Sequence, residues 1–184
     1  MGDWVWDGGR PCLDLVNTVR DRYLAGRELL REPADLAEWL RRAELADAVP
    51  AEDQLRAARE LREAVDRAVR AERPDPADVE LINSFARDRH RAATEIRLAG
   101  NGSAVAWTPP PADPVRAALG ALAADAVDLI TAERAQRVRI CASDRCGIRF
   151  VDASPARNRQ WCSMARCGNR EKARQHYARR KAGS

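Results

Sequence analysis

Four of the five cysteines form two close pairs near the end of the sequence. Four residues separate Cys141 from Cys146, four separate Cys162 from Cys167, and fifteen lie between the pairs. Two such pairs joined by a loop can bring four thiolates to one tetrahedral point, which suits Zn²⁺. Because four thiolates leave no coordination position open for a substrate, the sequence predicts one structural zinc ion per chain.

Two other roles for cysteine compete with zinc binding. Disulfides form in oxidising compartments, and the first residues, MGDWVWDGGRPCLDL, lack the basic and apolar regions of a secretory signal. We therefore expect a cytoplasmic protein with reduced thiols. A buried cysteine without a ligand role usually stands alone, and that description fits Cys12, which lies beside Leu13 and Leu15.

The charge of the sequence is segregated. Residues 1–131 contain 18 Lys+Arg and 24 Asp+Glu, a net charge of −6, whereas residues 132–184 contain 14 and 4, a net charge of +10. This difference predicts a polyanion partner for the basic segment only. Arginine outnumbers lysine by 30 to 2, which GC-rich codons explain, but codon usage does not explain the segregation.

Helical periodicity dominates the part of the sequence that precedes the paired cysteines. The spacing of apolar residues predicts helices that start at Pro11, cover 31–43 and 50–73, and start after Asp75 and Asp113. Asp75 and Asp113 each precede a proline, an arrangement typical of an N-cap and a first helical turn. Alternating residues predict a short strand over 3–7 and a β-hairpin formed by 94–98 and 104–108.

The cysteine region has a different order of predicted elements. Ile148, Phe150 and Val151 have the spacing of a strand, and an arginine-rich helix is expected to begin near Ser163. A knuckle, short strands and then a helix with the last ligands is the layout of a treble clef. The predicted fold class is therefore α+β: a mainly helical N-terminal domain with a small antiparallel sheet (1–135), followed by a treble-clef-like zinc finger (136–184).

Motifs at both ends resemble bacterial protein families. Residues 167–170 are CGNR, and together with the preceding FVDAS and RQWCSM they resemble the CGNR zinc finger. The run CLDLVNT, which begins at Cys12, resembles the ABATE domain, although Leu15 stands where that motif more often has an aromatic residue. The resemblance implies a stress-induced transcription regulator, in which a sensor domain precedes a DNA-binding treble clef.

The basic segment supplies the candidates for DNA contact. In a helix that begins near Ser163, Arg166, Arg170 and Arg174 recur every four residues and share one face. Like charges at that spacing repel each other, and a phosphate backbone would relieve the repulsion while releasing counterions. The predicted nucleic-acid-binding residues are Arg157, Arg159, Arg166, Asn169, Arg170, Lys172 and Arg174, and Arg179, Arg180 and Lys181 extend the charge.

Several residues of the finger have a second interpretation, in which they support its fold. Asn169 and Arg170 directly follow a zinc ligand, where they can read base edges or hydrogen-bond a sulfur atom. Gly168 is interpreted as a residue that adopts a left-handed turn or lets another backbone segment approach closely. Phe150 and Trp161 are interpreted as core residues of the finger. The alternatives for the whole segment are a solvated basic face, an RNA-binding module, and a zinc-dependent protein-interaction adaptor.

Three polar residues of the first predicted helix are candidates for ligand binding. Asp14, Asn17 and Thr18 are spaced so that they share one face. Facing a cleft, they would bind a small polar effector. Facing inward, they would cap or tether a neighbouring hairpin, which is the commoner role of buried polar groups.

The sequence contains few features of an enzyme or a membrane protein. It has no phosphate-binding loop and no nucleophile-elbow motif, and its two histidines, His90 and His176, lie outside recognisable motifs. We therefore expect no enzymatic activity. No run reaches the ~18 apolar residues of a membrane helix. Because a single finger buries little surface, we expect specific DNA recognition to need a homodimer or another partner.

Overall fold

The structure, a computed structural model, describes residues 3–132 and 137–174 of the 184-residue chain. Its described strands form three two-stranded antiparallel sheets, and this combination of helices and small sheets confirms the predicted α+β class. The elements are α1 (Pro11–Val16), β1 (Val19–Arg20), β2 (Arg27–Glu28), α2 (Pro33–Arg42), α3 (Glu52–Arg70), α4 (Pro76–Ala86), β3 (Glu95–Leu98), β4 (Ala104–Trp107), α5 (Pro114–Thr131), β5 (Val138–Ile140), β6 (Arg149–Val151) and the finger helix, which comprises a π-helical turn (Met164–Gly168) and α-helical residues 169–174.

The main core lies between α1, α3, α4 and α5. Leu55, Leu61 and Val65 form part of a buried stripe along α3, and it packs with apolar residues from α1, α4 and α5. Burial of each leucine contributes about 1.5–3 kcal/mol relative to exposure. Cys12 is fully buried in this core, as predicted for a cysteine that stands alone. Among the described helices, none is both long and apolar enough to cross a bilayer.

Two helix starts follow the predicted capping chemistry. The Asp75 carboxylate accepts a hydrogen bond from the N–H of Ala77 at 2.7 Å, and the Asp113 carboxylate accepts one from the N–H of Arg116 at 2.9 Å. In both helices, proline occupies the first turn, where a backbone N–H would have no helical partner. These local contacts explain why the beginnings of α4 and α5 could be predicted.

The predictions for the shortest strands are wrong. Residues 3–7 form no strand; instead, Trp6 stacks on Trp39 with ring centroids 5.5 Å apart. The apolar pattern of the helix that is predicted to start at Pro11 continues to residues 19–20, but α1 ends at Val16, and residues 19–20 form β1 and pair with β2. A strand of two or three residues shows little periodicity, so β1, β2 and β5 were not predicted, whereas the apolar residues in and beside β6 indicated that strand.

The β3–β4 hairpin forms where the alternation predicted it. Its register runs from the pair Glu95–Trp107 to the pair Leu98–Ala104. The guanidinium of Arg97 lies 3.1 Å from the ring centroid of Trp107, on the face where Glu95 also lies. Apart from Trp107, which is half-buried, every residue in the two strands is exposed.

Candidate metal centre and nucleic-acid interface

The four paired cysteines converge on one point. Their Sγ atoms all lie within 4.8 Å of one another, and all four residues are buried. The Sγ of Cys162 is 3.6 Å from that of Cys146 and 3.8 Å from that of Cys167. A tetrahedron with Zn–S bonds of about 2.3 Å has edges of about 3.8 Å. The residues therefore fit one structural zinc ion, and the predicted site is confirmed.

The first pair of ligands lies on the loop between β5 and β6. The backbone N–H groups of Ser143 and Ile148 hydrogen-bond to the sulfur atoms of Cys141 and Cys146, respectively. Gly147 has φ +70°, a conformation that favours glycine, and an added Cβ would lie 3.4 Å from the backbone nitrogen of Arg22. The left-handed turn is therefore at Gly147.

The second pair spans the beginning of the finger helix. Cys162 precedes the helix, and the Ser163 hydroxyl accepts a hydrogen bond from the N–H of Arg166 at 3.4 Å, close to the predicted start. The N–H of Gly168 donates to the carbonyl of Ser163 at 3.1 Å, the five-residue spacing of a π-helical turn. Gly168 lies within this helix, so its interpretation as a left-handed turn was wrong.

A small apolar core surrounds the sulfur cluster. Ile148, Phe150 and Val5 are buried together with the four cysteines, and Trp161 packs against them. Phe150 and Trp161 therefore serve the core of the finger, as predicted. The hairpin β5–β6 followed by a helix agrees with a zinc finger, and the treble-clef assignment stays a prediction.

The sulfur cluster needs a cation before all four thiols can ionise. Hydrogen bonds from the Cys146 and Cys162 thiols to Cys141 lower the pKa of Cys141 to about 2. The same hydrogen bond raises the pKa of Cys146 to about 12, and the pKa of Cys162 is also raised, chiefly by its hydrogen bond to Cys141. A divalent ion offsets the repulsion between thiolates, so binding zinc releases protons from this site.

Four predicted DNA-contact arginines have partners within the protein. Arg159 donates to the carbonyls of Trp161 and Cys162, and its guanidinium lies 4.7 Å from the ring centroid of Phe150. Arg170 lies 3.7 Å from the sulfur of Cys167 and 3.4 Å from the hydroxyl of Ser143. It therefore has the supporting contact with a zinc ligand that the sequence offered as one alternative.

The other two arginines form ion pairs. Arg166 lies 3.3 Å from Asp7, and Arg174 lies 2.7 Å from Asp144 and 2.8 Å from Glu171. These carboxylates offset the repulsion expected between arginines on one helical face. The pairs with Asp7 and Asp144 were missed because these carboxylates are remote in sequence from the helix, whereas Glu171 lies three residues before Arg174 and its spacing could have indicated the third pair.

The remaining candidates point to solvent. Arg157, Asn169 and Lys172 are exposed, and their side chains make no hydrogen bond or ion pair with any residue in the described ranges. Arg157 belongs to a loop that the buried Asp152 organises, because its carboxylate accepts hydrogen bonds from the N–H groups of Ser154 and Arg159. Arg179, Arg180, Lys181 and His176 lie outside the described residues.

A buried polar contact that the sequence did not predict joins the finger to the helical domain. The side-chain amide of Asn17 donates to the carbonyl of Arg149 and accepts from its N–H, both at 2.9 Å. The guanidinium of Arg149 donates to Asp66 on α3 at 2.7 and 3.3 Å. Arg149 and Asp66 are 5% and 2% exposed. These contacts hold β6 against α1 and α3.

The other polar residues of α1 and its end also have internal partners. Asp14 accepts a hydrogen bond from the N–H of Gly8 at 2.9 Å, and burial raises the pKa of its carboxyl to about 7. Thr18 donates to the carbonyl of Leu15 at 2.7 Å and accepts from Arg62 at 3.2 Å. These contacts agree with the tethering interpretation, whereas ligand binding by Asp14, Asn17 and Thr18 stays a prediction.

An open cleft of about 340 Å³ lies elsewhere on the helical domain, between α3, α4 and α5. Leu81, Phe85 and Leu119 line its apolar part, and Asp53 and Arg116 are among its charged lining residues. The cleft forms where α5 packs against α3 and α4, which precede it by 27 residues or more. Its lining could not be recognised before the fold was known.

Taken together, the fold and site define a class of protein: a mainly helical domain that carries a four-cysteine zinc finger. Two family models match the chain: ABATE, described as "Putative stress-induced transcription regulator", over residues 9–133, and the CGNR zinc finger over residues 137–180. The chain therefore belongs to the ABATE family and has a CGNR zinc finger, as its motifs indicated. A search of curated proteins finds no match. The predicted domain boundary near residue 136 lies outside the described residues.

Proposed function

We propose that this chain is a cytoplasmic transcription regulator without enzymatic activity, whose zinc finger binds double-stranded DNA through the phosphate backbone. The observation that carries the proposal is the excess of positive charge in the segment that holds the zinc site, most of whose cations are exposed. Residues 137–174 contain ten Lys+Arg and three Asp+Glu, a net charge of +7. A basic surface on a rigid, metal-stabilised fold is a suitable polyanion-binding site.

Two of the predicted contact residues are exposed cations that are available for phosphate contact without rearrangement. Lys172 lies on the finger helix after the last zinc ligand, with the exposed Asn169 one turn before it. Arg157 is presented by the loop that Asp152 holds in place. Zinc fixes the helix, and Asp152 fixes the loop, so neither cation needs a large ordering step before it meets a phosphate.

Arg166 and Arg174 would join the interface by exchanging partners. The side chains of Arg174 and Asp144 are 61% and 55% exposed. Exposed ion pairs of this kind contribute about 0–1 kcal/mol to stability, so a phosphate can replace Asp144 at little cost. Arg159 and Arg170 would act differently, because their contacts with Cys162 and Cys167 support the metal centre itself.

In the same proposal, the helical domain receives the signal. The Asn17–Arg149 and Asp66–Arg149 contacts provide a rigid path from α1 and α3 to β6, which precedes the second pair of zinc ligands. An effector that shifts α3 would therefore change the position of the finger. The cleft between α3, α4 and α5 is a second place, besides Asp14, Asn17 and Thr18, where an effector could bind.

Salt-dependent binding of the zinc-loaded protein to labelled duplex DNA tests the proposal. Lys172→Ala and Arg157→Ala should each weaken binding to all duplexes similarly and reduce the slope of log K against log salt concentration by about 0.9. The matched control is Arg41→Ala, since Arg41 is exposed at the end of α2 and makes no ion pair within the described part.

Three outcomes would contradict the proposal. The first is no salt-dependent binding to any duplex. The second is a preference for single strands or RNA stem-loops, which would favour the RNA-binding alternative. The third is that the chain binds another protein tightly, and that neither salt nor the two substitutions weaken this binding. That result would favour the adaptor.

A further inference from the structure

The β3–β4 hairpin extends from the fold with apolar side chains in solvent. Ile96 and Leu98 are 81% and 75% exposed, and they lie on the same face of β3. A two-stranded hairpin is marginally stable in water unless another strand or a packed layer supports it. Large side chains with this exposure, gathered on one element, are typical of a contact surface.

One edge of the hairpin has unpaired backbone groups. The N–H of Ala99 donates to the carbonyl of Ser103, and the N–H of Gly102 donates to the carbonyl of Ala99, each at 2.8 Å. The backbone groups of Ala99 therefore face β4. Because this direction alternates along a strand, Ile96 and Leu98 direct their N–H and carbonyl groups away from β4. No residue in the described ranges pairs with them.

We propose that β3 pairs antiparallel with β3 of a second copy of the chain, about a two-fold axis at Ile96, so that the two hairpins form one four-stranded sheet. Such an interface is isologous, since each copy contributes the same strand. The proposal is independent of DNA binding by the finger.

Charge complementarity selects this register. With the axis at Ile96, Glu95 of each copy lies opposite Arg97 of the other, which creates two cross-strand ion pairs. An axis at Arg97 would place the two Arg97 guanidinium groups opposite each other, which like-charge repulsion disfavours. The edge formed by β4 is less suitable for two reasons. The β4 sequence AVAW has no charged residue, and Pro109, two residues after β4, lacks a backbone N–H.

The pairing also accounts for the exposed apolar residues. In the register centred on Ile96, the two Ile96 side chains lie side by side, and each has Leu98 of the other copy as a diagonal neighbour. The four side chains then form one continuous apolar strip. The hairpin gains a third and a fourth strand, which is the support that an isolated pair of strands lacks.

Sedimentation analysis of the full zinc-loaded chain, with Ile96→Pro, tests the proposal. Proline removes an N–H that faces the second copy and leaves the hydrogen bonds between β3 and β4 intact. We expect a wild-type dimer whose Kd rises by roughly tenfold or more in this variant. Ala106→Pro is the matched control, because the N–H of Ala106 faces the opposite edge of the hairpin, and the dimer should persist.

A charge-reversal pair provides a second measurement that does not depend on proline. Arg97→Glu should weaken the dimer at low salt by placing like charges opposite each other, and Glu95→Arg combined with Arg97→Glu should restore it. A monomeric wild-type protein at micromolar concentration would overturn the proposal. So would a dimer that Ile96→Pro leaves unchanged, one that Ala106→Pro weakens equally, or one that the double variant fails to restore.

Discussion

The contact between Asn17 and Arg149 makes the stability of the finger depend on the helical domain. We predict that Asn17→Ala lowers the free energy of unfolding by about 2–4 kcal/mol. The substitution leaves the N–H and the carbonyl of Arg149 without partners in a buried interface, and each such group costs about 1–3 kcal/mol. Water that enters the small space left by the amide offsets part of the upper value.

Two measurements check this prediction. Urea unfolding at a fixed free zinc concentration gives the change in stability, and transfer of zinc to a chromophoric chelator gives the rate of metal release. We expect faster zinc release from the variant, because β6 loses its anchor on α1 and lies between the two ligand pairs. Asn158→Ala is the matched control: Asn158 is exposed in the finger, so its loss should change stability by less than about 0.5 kcal/mol.

The reasoning would be refuted in either of two ways. If Asn17→Ala costs no more than Asn158→Ala, the paired hydrogen bonds do not stabilise the interface. If it lowers stability but zinc release is unchanged, the finger holds its metal independently of α1, and the proposed path from the helical domain to the zinc site is wrong.

Three further predictions follow from the described contacts. Cys162→Ser should lose the single zinc ion that native mass spectrometry detects in the wild-type protein, because a neutral hydroxyl is a poor replacement for a thiolate. The free energy of unfolding of the Asp14→Asn variant, relative to that of the wild-type protein, should rise with pH. The Asp14 carboxyl has a folded pKa of about 7, so it favours folding at low pH and loses that contribution between about pH 4 and 7. The gain should grow by about 2 kcal/mol from pH 5 to 8 in urea unfolding, and a gain that is flat with pH would contradict the assignment. Asp144→Asn should remove one of the two carboxylate partners of Arg174 and tighten duplex binding roughly two- to threefold in the salt titration, whereas weaker binding would exclude Arg174 from the interface.

The features that could be predicted from sequence are those encoded by neighbouring residues. The spacing of Cys141, Cys146, Cys162 and Cys167 identified the metal site because each pair is local. Asp75 and Asp113 marked helix starts because a cap and its N–H partners lie within one turn.

The features that could not be predicted depend on residues that are distant in sequence. Asp66 looks like an ordinary charge on an amphipathic helix until β6 places Arg149 against it. Asp7 and Asp144 neutralise arginines that the sequence alone assigned to DNA. The partners of a polar side chain across such distances depend on the fold itself, which periodicity and local capping do not specify.

The position of Val5 has a consequence for the order in which the chain folds. Val5 packs in the core of the finger, and the carbonyl of Gly8 accepts a hydrogen bond from the N–H of Val151, so residues 5–8 have partners that are synthesised more than 100 residues later. Contacts between such distant segments form slowly, because a long loop must close first. The side chain of Val5 therefore stays uncovered until the finger has been synthesised and has folded around its metal. Zinc supply during synthesis would then determine how long this segment stays exposed to chaperones and proteases.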